Sequence, residues 1–351
     1  MILFPIKLDF VKALTDDVGI LQHSKYATPN RKEGYATDDN ARALIACTNY
    51  LMLFNDASVK RLIDTYLCFL LHMQRSDGKM HNFLGYDRTF IDEIGSEDCM
   101  GRTLWASGYC LDSKLPEEKR MVSKEIFDNV LKWTPNFTSP RAKAYSIIGL
   151  FHYRKAYPDD QNVKSNIISF ADQLSEQFEQ ASSEGWDWFE SYLTYSNARL
   201  PQALFLAYEA TGRKGYLQVA SKSMKFLTNT QTINKMFVPI GNQGWYQKGS
   251  NRAMYDQQSV EASCTTEAAI AGFRNTREEE YLKAAYFAFE WYFGGNTKGV
   301  TLYDQENGSC CDGITPKGLN LNKGAEATLS YLLARLNLEE LKQNNAELSI
   351  T

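Results

Sequence analysis

A chain of 351 residues with a formal net charge of −4 and acidic and basic residues interspersed has no electrostatic footprint for nucleic acid or for an anionic membrane. No apolar run approaches a membrane span, and the opening Met-Ile-Leu-Phe-Pro-Ile lacks the basic region and the apolar length of a signal peptide, so the chain reads as cytoplasmic. Its seven cysteines, an odd number with no C-x-x-C pair and no neighbouring histidine, point to reduced thiols rather than to a disulfide framework or a zinc site; neither a metal nor a cofactor is expected.

The first element, Lys7 to Val18, places Leu8, Val11, Leu14 and Val18 at helical spacing and stops at Gly19. Residues 22–36 read as a loop carrying His23, Pro29 and Gly34. The next stretch, Gly34 to Leu44, is Gly-Tyr-Ala-Thr-Asp-Asp-Asn-Ala-Arg-Ala-Leu. Thr37 reads as an N-cap, and Asp38, Asp39 and Asn40 fill a first turn where free N–H groups and the helix dipole favour negative charge. The helix then runs to about Phe54, apolar or small on nearly every side, as a helix buried all round would be. Its successor, Val59 to Met73, has one apolar face and sets Lys60, Arg61 and Asp64 on the other.

This alternation of buried and one-faced helices repeats along the chain. Buried helices start at residues 38, 97, 140, 197, 256 and 322, and one-faced helices follow the first five, over residues 59–73, 117–133, 163–178, 215–229 and 278–293. Ser139-Pro140 is a cap followed by proline at the first helical position. The sixth buried helix is expected to end at Leu336, with the N-terminal helix supplying its partner. Links from a buried to a one-faced helix are short, as between antiparallel neighbours. Links in the other direction, such as 74–96, 182–195, 231–255 and 295–321, are long and rich in glycine and aromatics. The pattern predicts an all-α (α/α)6 toroid spanning residues 1–338, with a polar tail over 339–351. All the long loops land on one face, at the N-termini of the inner helices.

That face carries many carboxylates and few histidines. Aromatics make up 13% of the chain, many in loops, and the pairing of acids with aromatic faces points to glycoside chemistry, in which one carboxylic acid protonates the departing oxygen and a second carboxylate activates water or attacks the sugar. The catalytic candidates are Asp38, Asp39, Glu97, Asp98 and Asp256, with the Glu97-Asp98 side expected to face Asp256 across the ring. Arg42, within one turn of both aspartates, reads either as an ordinary intrahelical pair or as the group that holds one of them ionised. Arg102, Arg141 and Arg199 each follow an inner start and either bind substrate or neutralise the acids. Trp186 and Trp188, flanking Asp187 in a run that ends at Glu190, and Trp245 are either sugar-stacking platforms or loop packing. Asn197, Gln257, Asn322 and Glu326 complete the substrate-binding set.

Six segments together carry a resemblance: the Gly34–Leu44 run, Glu97-Asp-x-x-Gly-Arg, Ser139-Pro-Arg-Ala, Leu193-Thr-Tyr-x-Asn-Ala-Arg, Asp256-Gln-Gln-x-x-Glu-Ala and Asn322-x-Gly-Ala-Glu-Ala-Thr. They resemble bacterial (α/α)6-toroid proteins of the six-hairpin glycosidase type, in the group found alone or behind glycosyltransferase domains. The resemblance implies an oligosaccharide or glycan substrate and a functional association with a glycosyltransferase. Lys323 and Ala327 depart from the polar pair expected in the last motif. The leading expectation is a glycoside hydrolase. A sugar epimerase would need histidine bases at the mouth, for which only His23 and His81 are eligible. A glycan-binding module assisting a glycosyltransferase is the alternative without catalysis.

Overall fold

The computed structural model describes residues 3–348; residues 1–2, which open the N-terminal stretch, and 349–351, which end the expected tail, lie outside the described residues. The helices are α1 (Asp9–Leu14), α2 (Thr37–Phe54), α3 (Lys60–Met73), α4 (Glu97–Leu111), α5 (Glu117–Leu131), α6 (Pro140–Ala156), α7 (Gln161–Ala181), α8 (Arg199–Thr211), α9 (Lys214–Thr230), α10 (Ser259–Thr276), α11 (Glu279–Phe289) and α12 (Ala325–Leu348). The even-numbered helices pack each on the next, and α12 returns to α2 to close the ring. Helices α3, α5, α7, α9 and α11 lie on their predecessors, and α1 lies on α12. This is the (α/α)6 toroid expected from the alternation. No described helix is long and apolar enough to cross a membrane.

Burial divides the two rings as composition demands. Every residue of α10 from Ser259 to Gly272 is buried. In the outer α9, by contrast, only Tyr216, Ala220, Ser223, Met224 and Leu227 are buried, a single stripe at helical spacing. Ser96 caps α4 by accepting from the Cys99 amide, and Ser139 caps α6 by accepting from Ala142, with Pro140 next in line. The tightest contact in the ring joins α4 to α6. A Cβ added to Gly108 would stand 2.2 Å from the Gly149 carbonyl oxygen, and one added to Gly149 would stand 2.5 Å from that of Leu104. These helices meet backbone to backbone.

Three local expectations are corrected. Thr37 is the first helical residue rather than the cap, because its hydroxyl is spent on the His81 carbonyl across the loop, at 2.7 Å. Helix α1 ends at Leu14 instead of Val18, since Thr15 turns extended and bridges to Ile20. Helix α12 continues past Leu336 to Leu348, where buried Leu338 and Leu341 and the Arg335–Glu339 ion pair at 2.8 Å carry the helix onward.

The long loops are tied together by short antiparallel pairings. Tyr35–Ala36 pairs with Phe83–Leu84, and Tyr192–Leu193 with Tyr246–Gln247. Gln257–Gln258 pairs with Gly313–Thr315, which also pairs with Gly318–Asn320. Side chains at the inner-helix starts are therefore held by a hydrogen-bonded rim rather than by free loops.

Candidate active site

A cavity of about 430 Å³ opens on this rim, within the range of small-molecule sites. Asp38, Asp39 and Arg42 come from the first turns of α2, Asp256 from the loop entering α10, and Asp312 and Glu326 from the approach to and start of α12. The cavity is eccentric, because none of its lining residues belongs to α4, α6 or α8.

Two buried guanidiniums organise the acids. Arg42 is 4% exposed and donates from Nη1 to Asp39 Oδ1 at 2.8 Å and from Nη2 to Glu326 Oε2 at 2.9 Å. Arg102, also buried, donates to Asp38 Oδ2 at 2.6 Å and to the Tyr145 hydroxyl at 3.1 Å. Asp39 is pushed up to about 7, chiefly by burial and further by the charges of Glu326 and Asp38, although Arg42 opposes the shift. Burial likewise raises Asp312, against the Gly324 amide that donates to it at 2.6 Å. Asp256 is half-buried, and its carboxylate has no hydrogen bond or ion pair among the described residues. One wall thus holds a carboxyl whose proton is exchangeable near neutral pH, and another holds an acidic side chain with no partner among the described residues.

The remaining candidates have other employment. Glu97 accepts from the backbone amides of Thr138 at 2.8 Å and Ser139 at 2.7 Å, which fastens the entry to α6. Asp98 is 8% exposed and accepts from Ser139 Oγ at 2.7 Å and from the Tyr195 hydroxyl at 2.8 Å. Neither lines the cavity, and the expected cleft between Asp98 and Asp256 is filled on the Asp98 side. Arg141 pairs with Glu190 at 2.8 Å and donates to Thr194 Oγ1 and the Tyr195 carbonyl. Arg199 makes a two-pronged pair with Glu267 and lies 4.5 Å from the Trp105 ring centre. Asn197 knits the Thr194 backbone to Glu261, which burial pushes up to about 6.

The loop aromatics divide. Trp186 and Trp188 are buried at 4% and 0% exposure and pack on Phe226, so they are core rather than platforms. Asp187 pairs with Lys222 at 2.9 Å along an outer groove. Trp245 is 41% exposed, and its indole donates to Asn242 Oδ1 at 3.0 Å, beside the cavity wall. Gln257 lines the cavity, but its amide is consumed by Trp291, Met254 and Thr297. Asn322 accepts from the Tyr26 amide and holds one loop to another. Lys323 pairs with Asp304 at 2.7 Å, whereas Ala327 leaves room in the cavity wall.

His23 and Asn242 also line the cavity. His23 is one of the two histidines whose loops lead to this face, whereas Asn242 is a single residue in an irregular loop, with no periodic signal to place it there. His81 is spent elsewhere, stacked 3.9 Å from Phe90 with Nδ1 at 2.8 Å from the Asp92 carbonyl.

No protein-family model and no curated protein matches the chain. Solved structures do resemble it. A cellobiose 2-epimerase from Bacillus thermoamylovorans is similar at 13% identity, with a TM-score of 0.74 and 96% of each chain covered. An alpha-mannanase from Bacteroides thetaiotaomicron is similar at 13% identity and a TM-score of 0.69, over 96% of this chain and 94% of that one. A third is an inactive variant of an alpha-1,6-mannanase from Salegentibacter sp., two successive aspartates replaced by alanine, in complex with alpha-1,6-mannotetrose. It is similar at 13% identity and a TM-score of 0.65, over 95% of this chain and 96% of that one. At these identities the likeness establishes the toroid.

Proposed function

We propose that this chain is a carbohydrate-active enzyme and that its reaction is hydrolysis of a glycosidic bond in an oligosaccharide. The observation that carries the reading is the placing of Asp39 and Asp256 on different walls of one cavity, the first pushed up to about 7 by burial and the second without a partner among the described residues. Asp39 is the general acid that delivers a proton to the departing oxygen. Asp256 is the carboxylate that activates water or attacks the sugar. Arg42 fixes Asp39 and Glu326 relative to each other, and Asp38 is held by Arg102. Further support comes from the Salegentibacter mannanase, inactive when two successive aspartates are removed. Of the two successive acid pairs at inner-helix starts here, only Asp38-Asp39 opens on the cavity.

A second reading rests on His23, which lines the same cavity, and on the likeness to a sugar epimerase. An epimerase would return a product of unchanged length with one inverted carbon. The experiment is incubation with manno-, gluco- and galacto-oligosaccharides and separation of the products, with Asp39→Asn and Asp256→Asn as controls. Shortened chains that disappear in both variants support hydrolysis. An isomer of unchanged length that depends on His23 replaces it with epimerisation, and binding without turnover leaves a glycan-binding module.

A further inference from the structure

At the opposite end of the barrel, where the inner helices finish, a second cavity of about 200 Å³ is lined by side chains from all six of them. Asn49 of α2 faces it ten residues after Asp39, about 15 Å farther along the helix axis. Its inner end is closed by Glu267, paired with Arg199, and by Trp105 beneath that guanidinium. Its outer end reaches solvent past Met52, which is 43% exposed, and Lys155.

The fold leaves polar groups here unused. Asn49 is 3% exposed, and its amide has no hydrogen bond among the described residues. Gln202 is 7% exposed; its Oε1 accepts from Arg199 at 2.6 Å, while its Nε2 has no partner among the described residues. The Tyr109 hydroxyl is likewise free among them. All three line the cavity with polar atoms that the protein leaves to whatever occupies it, and a ligand rich in hydroxyls can both donate to and accept from them.

Most charge in the cavity is already matched, exposed Glu209 being the one lining carboxylate without an ion pair among the described residues. Asp112 accepts from His152 Nδ1 at 2.9 Å and from Lys155 at 3.1 Å, and Glu340 lies 3.1 Å from Arg274. Burial lowers His152 below its ordinary value, so the ring is neutral near pH 7 and its Nε2 remains an acceptor. The C-termini of α2, α4, α6, α8 and α10 add partial negative charge, which disfavours an anion. The volume falls below the ~300–1,000 Å³ of drug-sized sites yet exceeds several-fold the ~30 Å³ share of one water.

We propose that this lower cavity binds one neutral polyhydroxylated ring, a free monosaccharide or cyclic polyol, held by Asn49, Gln202, Tyr109 and His152. The site is separate from the mouth and stands whichever reaction the mouth performs. The test is calorimetric titration of the full chain with free D-glucose, D-mannose, D-galactose and myo-inositol, repeated with Asn49→Leu, Gln202→Leu and the mouth variant Asp39→Asn. At least one compound is expected to bind one-to-one, at least about tenfold more weakly in both lower-cavity variants and unchanged in Asp39→Asn. A crystal of the unaltered protein grown with that compound should show it between Asn49 and Gln202, a readout that survives if a variant fails to fold. Binding by none of the four compounds overturns the proposal. So does binding lost in Asp39→Asn but kept in the lower-cavity variants, or density for the compound only at the mouth.

Discussion

Arg42 of the first inner helix meets Glu326 of the last at 2.9 Å, across the seam where the ring closes, while its other nitrogen holds Asp39 at 2.8 Å. One buried cation therefore serves both the closure of the fold and the arrangement of the acids. Replacing Arg42 by methionine removes the hydrogen-bond donor that buried Asp39 and Glu326 share and should cost about 1–3 kcal/mol. Glu326→Gln, at a side chain 45% exposed, should cost less than about 1 kcal/mol. Urea unfolding of the two variants checks the contrast.

Asp39→Asn and Asp256→Asn should each lower turnover on the identified oligosaccharide by roughly 10²–10⁴, with sugar binding kept, because an amide preserves shape but neither donates a proton nor attacks. Asp39 must be protonated to act as the acid. The rate of the unaltered enzyme should therefore fall as pH rises past about 7, and a pH–rate profile reads that limb directly.

The same shift has a stability counterpart. The folded-state value of Asp39 is raised from 3.8 to about 7, so the folded protein holds a proton there that the unfolded chain has released. Its contribution is complete below about pH 4 and is lost as pH rises through about 7. The melting temperature of the unaltered protein relative to Asp39→Asn should decline across that interval, as calorimetry at stepped pH would show. A constant difference would mean that Asp39 titrates normally.

Backbone contact between α4 and α6 makes Gly149 intolerant of a methyl group. Gly149→Ala should destabilise by about 1–3 kcal/mol or more, since the Leu104 carbonyl stands where the Cβ would go. Gly215 in α9 has open space around it, and Gly215→Ala should be neutral or stabilising by up to about 1 kcal/mol. Chemical denaturation of the pair separates steric from propensity effects.

The tryptophans offer a matched test of rim and core. Trp245→Ala should weaken oligosaccharide binding with little change in melting temperature. Trp188→Ala should cost about 3–5 kcal/mol, because the ring it removes is wholly buried.

The architecture was legible because burial imposes composition. A helix such as α10, covered on all sides, has to be apolar or small throughout, and α9, covered on one side, has to show a stripe; the link lengths then orient the pair. The shared cavity of Asp38, Asp39 and Asp256 was readable from the same logic, since they sit at inner-helix starts or in the loop leading to one. Glu97 and Asp98 satisfy that logic equally well, yet their partners are the Thr138 and Ser139 amides and the Tyr195 hydroxyl, contacts made between hairpins that no local pattern records. Trp186 and Trp188 show the same limit, for a loop aromatic folded inward has no signature that separates it from Trp245.

The eccentricity of the mouth cavity gives six similar hairpins unequal duties. The arc from α4 to α8 is filled by Asp98, Tyr195, Arg141 and Glu190 and drawn tight by glycine, whereas the arc from α10 through α12 to α2 surrounds the open space. A scan of every single substitution, scored separately for abundance and for turnover, should therefore sort by angle around the barrel axis. Damage on the first arc should register as lost protein, and damage on the second as intact protein that no longer works.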